Sequence, residues 1–233
     1  MLCLERYEEA ESAYRRAIEL DPEIDQPWLG LSIVLTNLER CDEAERAFRR
    51  AIELDPEDST SWYCLGNLLR DDLERYEEAE LAYRRAIELD PADAVPWNDL
   101  GSLLADHLER REQAEQAYRR AIELDSQDPY PWGNLGRLLE DDPERSLEAA
   151  EAYVRALQIE GDGAFARSAL AGRPTISPAS ISNATSRSTS ARARQSAEIR
   201  TDSSGTASIG GSVNGSTTST MAGRRLSRQV TFR

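Results

Sequence analysis

Lysine is missing from all 233 residues of this chain, so each fixed positive charge is an arginine. Histidine occurs once, at His107, and cysteine three times, at Cys3, Cys41 and Cys64. Without a Cys-x-x-Cys pair or a histidine cluster, neither a disulfide framework nor a zinc site is expected. A phosphate-binding P-loop needs a lysine, which excludes that motif. No apolar run approaches the ~18 residues of a membrane helix. The first residues, MLCLERYEEAES, lack the basic segment and apolar core of a secretory signal. These absences lead us to expect a soluble, reducing, cytoplasmic protein with no cofactor and no metal. Glycosylation patterns at Asn183 and Asn214 are expected to go unused.

What is present is acid, unevenly placed. Residues 1–161 hold 40 of the 43 acidic and 18 of the 28 basic residues, a formal charge of −22. Residues 162–233 hold ten arginines against three acids, a formal charge of +7. The two parts therefore differ in sign as well as in composition.

The acidic part is periodic. AYRRAIELD occurs at 13–21, 82–90 and 117–125, and AFRRAIELD at 47–55. Tryptophan recurs at 28, 62, 97 and 132, with spacings of 34, 35 and 35. Three residues after each Trp stands Leu31, Leu65, Leu100 or Leu135, then a small residue (Ser32, Gly66, Gly101, Gly136), then Leu35, Leu69, Leu104 or Leu139. A small residue (Ala44, Ala79, Ala114, Ala149), an aromatic (Phe48, Tyr83, Tyr118, Tyr153) and a further alanine (Ala51, Ala86, Ala121, Ala156) complete the unit. Trp62, Leu65 and Leu69 share one helical face, and Ala79, Tyr83 and Ala86 share a face of the next helix. Asp58, Asp93 and Asp128 read as N-caps. Pro96, Pro129 and Pro131 fit a first helical turn, and Leu-Asp-Pro at 54–56 and 89–91 reads as a helix stop.

This pattern resembles the tetratricopeptide repeat, W-x2-L-G-x2-Y, A-x3-F, P, over residues 1–161. It departs from it in having Leu for the aromatic that ends the first helix. Three copies also carry an extra residue, expected in the interhelical turns near Asp71, Asp106 and Asp141. The resemblance implies an all-α fold: a right-handed superhelical solenoid of antiparallel helix pairs. We expect an array over 1–172, with a half repeat at 1–24 and repeats at 25–58, 59–93, 94–128 and 129–163. A short cap helix is expected over 164–171, followed by a disordered Ser/Thr/Arg-rich tail over 173–233. With the four indoles in the core, Trp97→Ala would cost ~3–5 kcal/mol. In the tail, Ser227 within Arg-Arg-Leu-Ser resembles a kinase site; a phosphate there would add ~1.5–2 negative charges.

Catalytic chemistry is not evident. His107 falls in an interhelical turn without a nucleophile beside it, and the paired carboxylates repeat in every unit, as solvated faces do. Glu80–Arg84 and Glu115–Arg119 have the favourable i, i+4 order. In solenoids of this resemblance the first helices line a concave groove. The positions left there after removing the core are Gln26, Leu29, Ile33, Asn37, Tyr63, Asn67, Arg70, Asn98, Ser102, Ala105, Tyr130, Asn134 and Arg137, and the candidate groove residues among them are Tyr63, Asn67, Arg70, Asn98, Tyr130, Asn134 and Arg137. Amides that both donate and accept can read a peptide backbone. We therefore expect a protein-interaction scaffold, not an enzyme, binding a protein or peptide. An acidic array favours basic ligands, its own arginine-rich tail among them, and repels nucleic acid. Two other readings stay open. The chain could be the repeat region of a larger enzyme such as an O-linked glycosyltransferase. It could also be a co-chaperone adaptor, although the lysine of that family's carboxylate clamp is absent and Leu29 and Ile33 occupy polar places of the clamp.

Overall fold

The computed structural model describes the backbone of residues 2–160 and the side chains of residues 6–159. The expected cap helix over 164–171, the tail over 173–233 with Ser227, and residues 161–163 lie outside the described residues. Within them the chain runs α1 (Leu2–Leu20), α2 (Asp25–Asn37), α3 (Cys41–Leu54), α4 (Ser59–Asp71), α5 (Tyr76–Leu89), α6 (Val95–Asp106), α7 (Arg111–Leu124), α8 (Pro129–Leu139) and α9 (Ser146–Glu160). A single 3-10 turn, Pro143–Arg145, leads into α9. The strongest packing is within α2/α3, α4/α5, α6/α7 and α8/α9, and each pair then packs on the next. Short connections between packed neighbours make the pairs antiparallel.

Two kinds of turn set this repeat. After α3, α5 and α7 the chain leaves the helix at Asp55, Asp90 and Asp125, all extended near φ −130, −131 and −134. Each of these carboxylates accepts the N–H two residues on, at 3.0, 3.1 and 2.8 Å. The stop works equally well before Ser126 as before Pro56 or Pro91, so the aspartate holds it and the proline only reinforces it. The other turn is Leu-Glu-Arg, at 38–40, 73–75 and 108–110. Glu39, Glu74 and Glu109 adopt the left-handed conformation, at φ 58, 52 and 51. The arginine N–H then returns to the helix it has just left: Arg40 to the Leu35 carbonyl at 2.9 Å, Arg75 to Leu69 and Arg110 to Leu104 at 2.8 Å. The equivalent leucine is capped in each case. The extra residue of the 35-residue units is absorbed inside this loop, and the helices that follow keep their register.

The core is a ladder of small residues and rings. Ala44, Ala79, Ala114 and Ala149 are fully buried, as are Tyr83, Tyr118 and Tyr153, with Phe48 nearly so. Burying each leucine of the Leu65/Leu69 and Leu100/Leu104 rows contributes ~1.5–3 kcal/mol. A Cβ at Gly66, Gly101 or Gly136 would stand 2.7, 2.7 or 3.0 Å from the ring of the tyrosine in the partner helix. Glycine is there because the two helices close onto a ring.

The tryptophans are not inside this core, which corrects the expectation from the sequence. All four are half-buried, and Trp28, Trp62 and Trp97 pack against its edge. Three use the exposed rim to satisfy the indole N–H: Trp28 donates to the Pro22 carbonyl (3.1 Å), Trp62 to Pro56 (3.1 Å) and Trp132 to Ser126 (3.3 Å). Trp97 Nε1 is buried without a partner. Its helix also starts differently. Asp58 and Asp128 cap α4 and α8 as expected. Asp93, however, stands outside α6 and accepts from Val95, leaving Ala94 as an N-cap that has no side-chain acceptor.

Successive repeats are also stitched by an arginine ladder along the second helices. Arg40 grips Glu43 with Nε and Nη2 (2.8 and 2.6 Å) and reaches Glu11 with Nη1 (2.7 Å). Arg75 holds Glu78 (2.7 and 2.6 Å) and Glu45 (2.8 Å) in the same way. Arg145 holds Glu148 (3.0 and 2.8 Å) and Glu115 (2.7 Å). The i, i+4 pairs Glu80–Arg84 (2.9 Å) and Glu115–Arg119 (2.6 Å) are present beside it. His107 adds a further contact between repeats, stacking on Tyr76 with ring centroids 4.1 Å apart.

Candidate functional site

The first helices α2, α4, α6 and α8 succeed one another in the stack, with α2 touching α4 and α6 touching α8. Tyr63, Asn67 and Arg70 are spaced i, i+4, i+7 and share one face of α4. Asn98 and Ser102 hold the matching positions on α6, and Arg137 on α8. The tyrosine tips from the second helices reach the same face across the glycines. Tyr83 donates to Asn67 Oδ1 at 2.6 Å and Tyr118 to Ser102 Oγ at 3.3 Å. In the last pair the hydroxyl of Tyr153 goes to Glu140 instead, at 2.9 Å.

The centre of this face is Asp99, which composition and periodicity did not single out. Its carboxylate accepts from the Tyr63 hydroxyl at 2.8 Å and from Asn98 Nδ2 at 3.2 Å, and Arg70 Nη1 lies 3.9 Å away. Burial raises the Asp99 carboxyl above its ordinary range, against the Tyr63 hydrogen bond and the Arg70 charge, which lower it. The Tyr63 hydroxyl is pushed up to about 12, chiefly by burial, with the Asp99 charge adding to it. Tyr63 is therefore a donor at neutral pH. Arg70 is itself held by Asp71 at 2.5 and 2.9 Å and lies over the Tyr83 ring, 5.7 Å from its centroid.

Across α6 and α8, Asn134 donates to Asn98 at 3.0 Å. Arg137 forms a two-point ion pair with Asp106 at 2.8 and 3.1 Å. Of the seven residues singled out from the sequence, Tyr63, Asn67, Arg70, Asn98 and Asn134 thus meet around Asp99, Ser102 and Tyr83. Arg137 is engaged one turn further along α8. Tyr130 stands at the start of α8, 55% exposed, with its backbone N–H on Asp128. Among the described residues the Asn67 amide faces the Tyr63 hydroxyl, while the Asn134 amide oxygen has no hydrogen bond, which leaves an acceptor on α8. Asp99 and Asp106 were the residues missed, whereas Ser102 was among the positions left on the first helices but not among the seven. Asp99 did carry a signal: at that position of the other units stand Gly30, Cys64 and Asn134, so it is a carboxylate that does not repeat.

No helix among the described residues is long and apolar enough to cross a membrane.

The tetratricopeptide repeat family matches residues 29–94, and matches again at 4–24 and 94–128, together just over half of the chain. No curated protein sequence matches it. Solved structures do. MamA from Desulfovibrio magneticus RS-1, residues 41 to its end, is 24% identical with a TM-score of 0.61, over 70% of this chain and 91% of that one. YrrB, described as a TPR protein with an unusual peptide-binding site, is 22% identical with a TM-score of 0.59, over 80% of this chain and all of that one. PilF of Pseudomonas aeruginosa is 21% identical with a TM-score of 0.63, over 75% and 82%. At these identities the likeness is one of fold.

Proposed function

The chain belongs to the tetratricopeptide-repeat family, whose arrays are protein-interaction scaffolds, and from that premise we propose that the face built by α4, α6 and α8 is a groove for an extended peptide. The observation that carries this reading is the half-buried polar chain Tyr63–Asp99–Asn98–Asn134, which crosses three helices and leaves the amide oxygen of Asn134 unpaired at its end. An extended peptide supplies alternating donors and acceptors, which suits such a surface. A polar seam needed only for packing would satisfy itself. The peptide-binding site named for YrrB, a neighbour in fold, is in keeping with this.

The ligand of this reading is basic. The array carries a formal −22 and has a half-buried carboxylate at the middle of the face. Both arginines on the face are occupied, by Asp71 and Asp106, so the field a ligand meets there is negative. The arginine-rich residues 173–233 are a ligand of the same chemistry in the same chain, and tethering would raise their effective concentration to the millimolar range.

A direct test measures binding of the full chain to two sets of peptides matched in length, one arginine-rich and one glutamate-rich. The arginine-rich set should bind more tightly, and Asn98→Ala with Asn134→Ala should weaken binding roughly tenfold, since each lost hydrogen bond is worth ~0.5–1.5 kcal/mol. Removing residues 173–233 should tighten it. Equal binding of the two sets, or indifference to the asparagine substitutions with helicity intact, would overturn the proposal.

A further inference from the structure

The arginine ladder repeats with one defect. At Arg40, Arg75 and Arg145 the Nε and Nη2 groups together clasp a glutamate three residues on: Glu43, Glu78 or Glu148. The equivalent of that glutamate after Arg110 is Gln113. Its amide oxygen takes Arg110 Nη2 at 2.5 Å and, at 3.5 Å, Arg84 Nη2. Arg110 Nε is left without an acceptor among the described residues, as is Arg84 Nη1. At the other three stations two arginines share two carboxylates. Here Arg84 and Arg110 share Glu80 alone, at 2.9 and 2.6 Å.

The same station holds the one indole of the four that lacks its carbonyl, Trp97. The two features meet in a cleft of about 490 Å³ between α5 and α7, with Trp97, Leu100, Leu104 and Ala117 as its apolar floor. Arg84, Arg110, Gln113 and Gln116 form the rim, and no carboxylate lines it. The equivalent cleft at Trp28 includes Glu43 and is smaller, about 340 Å³. The rim at Trp97 is thus rich in donors, poor in acceptors and one negative charge short.

We propose that this cleft is a second binding site, distinct from the groove, that takes a peptide carboxylate flanked by an apolar side chain. The carboxylate replaces the missing glutamate against Arg110 Nε and Arg84 Nη1, as a charge-assisted pair. The apolar group lies on the half-exposed ring of Trp97, since Leu100 beneath it is fully buried. Trp97 is the one indole with no hydrogen bond to give up, so its ring is the freest of the four to adjust to a guest. Glu80 already stands on both arginines, so the incoming carboxylate joins it as the second carboxylate that each of the other stations has, while salt screens acid farther away than ~8–10 Å.

The test uses the full chain and N-acetylphenylalanine, followed through the four indole N–H signals in nitrogen–proton correlation spectra and assigned with Trp97→Phe. The Trp97 signal should move selectively with the free carboxylate, and much less with N-acetylphenylalaninamide. Gln113→Glu restores the ladder found at the other three stations, so it will fold, and it should weaken binding by roughly tenfold or more by putting a like charge at the site. Three results would each overturn the site: no selective movement at Trp97 up to the solubility limit, an equal response to the amide, or binding unchanged in Gln113→Glu.

Discussion

Gly101→Ala adds one methyl group at the point where α6 meets α7. Its Cβ would lie 2.7 Å from both Cδ1 and Cε1 of Tyr118 and 3.2 Å from Cγ. Comfortable carbon–carbon contact is ~3.5–4.0 Å, so the clash is about 1 Å deep. The ring cannot step aside: Tyr118 is fully buried and its hydroxyl is bonded to Ser102. Overpacking of this kind costs ~1–3 kcal/mol, and a contact at the middle of a fixed ring belongs at the upper end. Alanine returns ~1 kcal/mol of helix propensity. The net loss is ~1–2 kcal/mol, a fall in Tm of ~3–6 °C for an array of this size. Urea titration of the full chain by far-ultraviolet circular dichroism reads it directly. In a Tyr118→Leu background the same alanine should turn neutral or stabilising, because the obstructing ring is gone. A Gly101→Ala protein at least as stable as its parent would refute the claim that glycine is there to admit the tyrosine.

Other outcomes follow from the same geometry. Trp62→Phe loses the hydrogen bond to Pro56 whereas Trp97→Phe loses none, so Trp62→Phe should be the more destabilising by ~1 kcal/mol in the same titration. Glu74→Gly relieves a left-handed residue at φ 52 and should raise stability by ~0.5–1 kcal/mol, as a shift in the urea midpoint at unchanged slope. Two carboxylates should respond to pH with opposite signs. Hydrogen bonds from Arg49 and Arg75 outweigh burial and hold Glu45 below its ordinary range. Its stabilisation is therefore present above the unfolded value of ~4.3 and lost on acidification, so the deficit of Glu45→Gln should shrink as pH falls from 7 towards 3. Burial holds Asp99 above its ordinary range. The stability it contributes is full below the unfolded value of ~3.9 and lost as pH rises through the folded one, so Asp99→Asn should gain on the parent between pH 4 and 7.

The solenoid was legible because its code is local and repeated. Trp, Leu, Gly and Tyr recur at fixed offsets, and each helix face can be counted from the sequence. The burial of the indoles was misjudged because tryptophan carries a polar handle. An N–H that must find a carbonyl keeps the ring at the rim, whereas tyrosine reaches polar groups through the core and can be buried whole. The arginine ladder was written in the chain as Leu-Glu-Arg every 35 residues. Its meaning lies in pairs 29 or 30 residues apart, such as Arg40 with Glu11 and Arg75 with Glu45, which only the stacking of second helices brings together. On the candidate groove, spacing alone placed Tyr63, Asn67 and Arg70 together. Asp99 was hidden by the abundance of acid around it: among 43 acidic residues, its one signal, that no other unit has a carboxylate at that position, is easily passed over.

The proposed groove is tested most directly by locating a bound ligand. An arginine-rich peptide carrying a photo-crosslinker is bound to the full chain, irradiated, and the attachment points are read by mass spectrometry. The account predicts attachment on the shared face of α4, α6 and α8, around Tyr63, Asn98 and Asn134, and its loss when Asn98 and Asn134 are replaced by alanine. Attachment confined to the glutamate and arginine ladder of α3, α5 and α7 would contradict it.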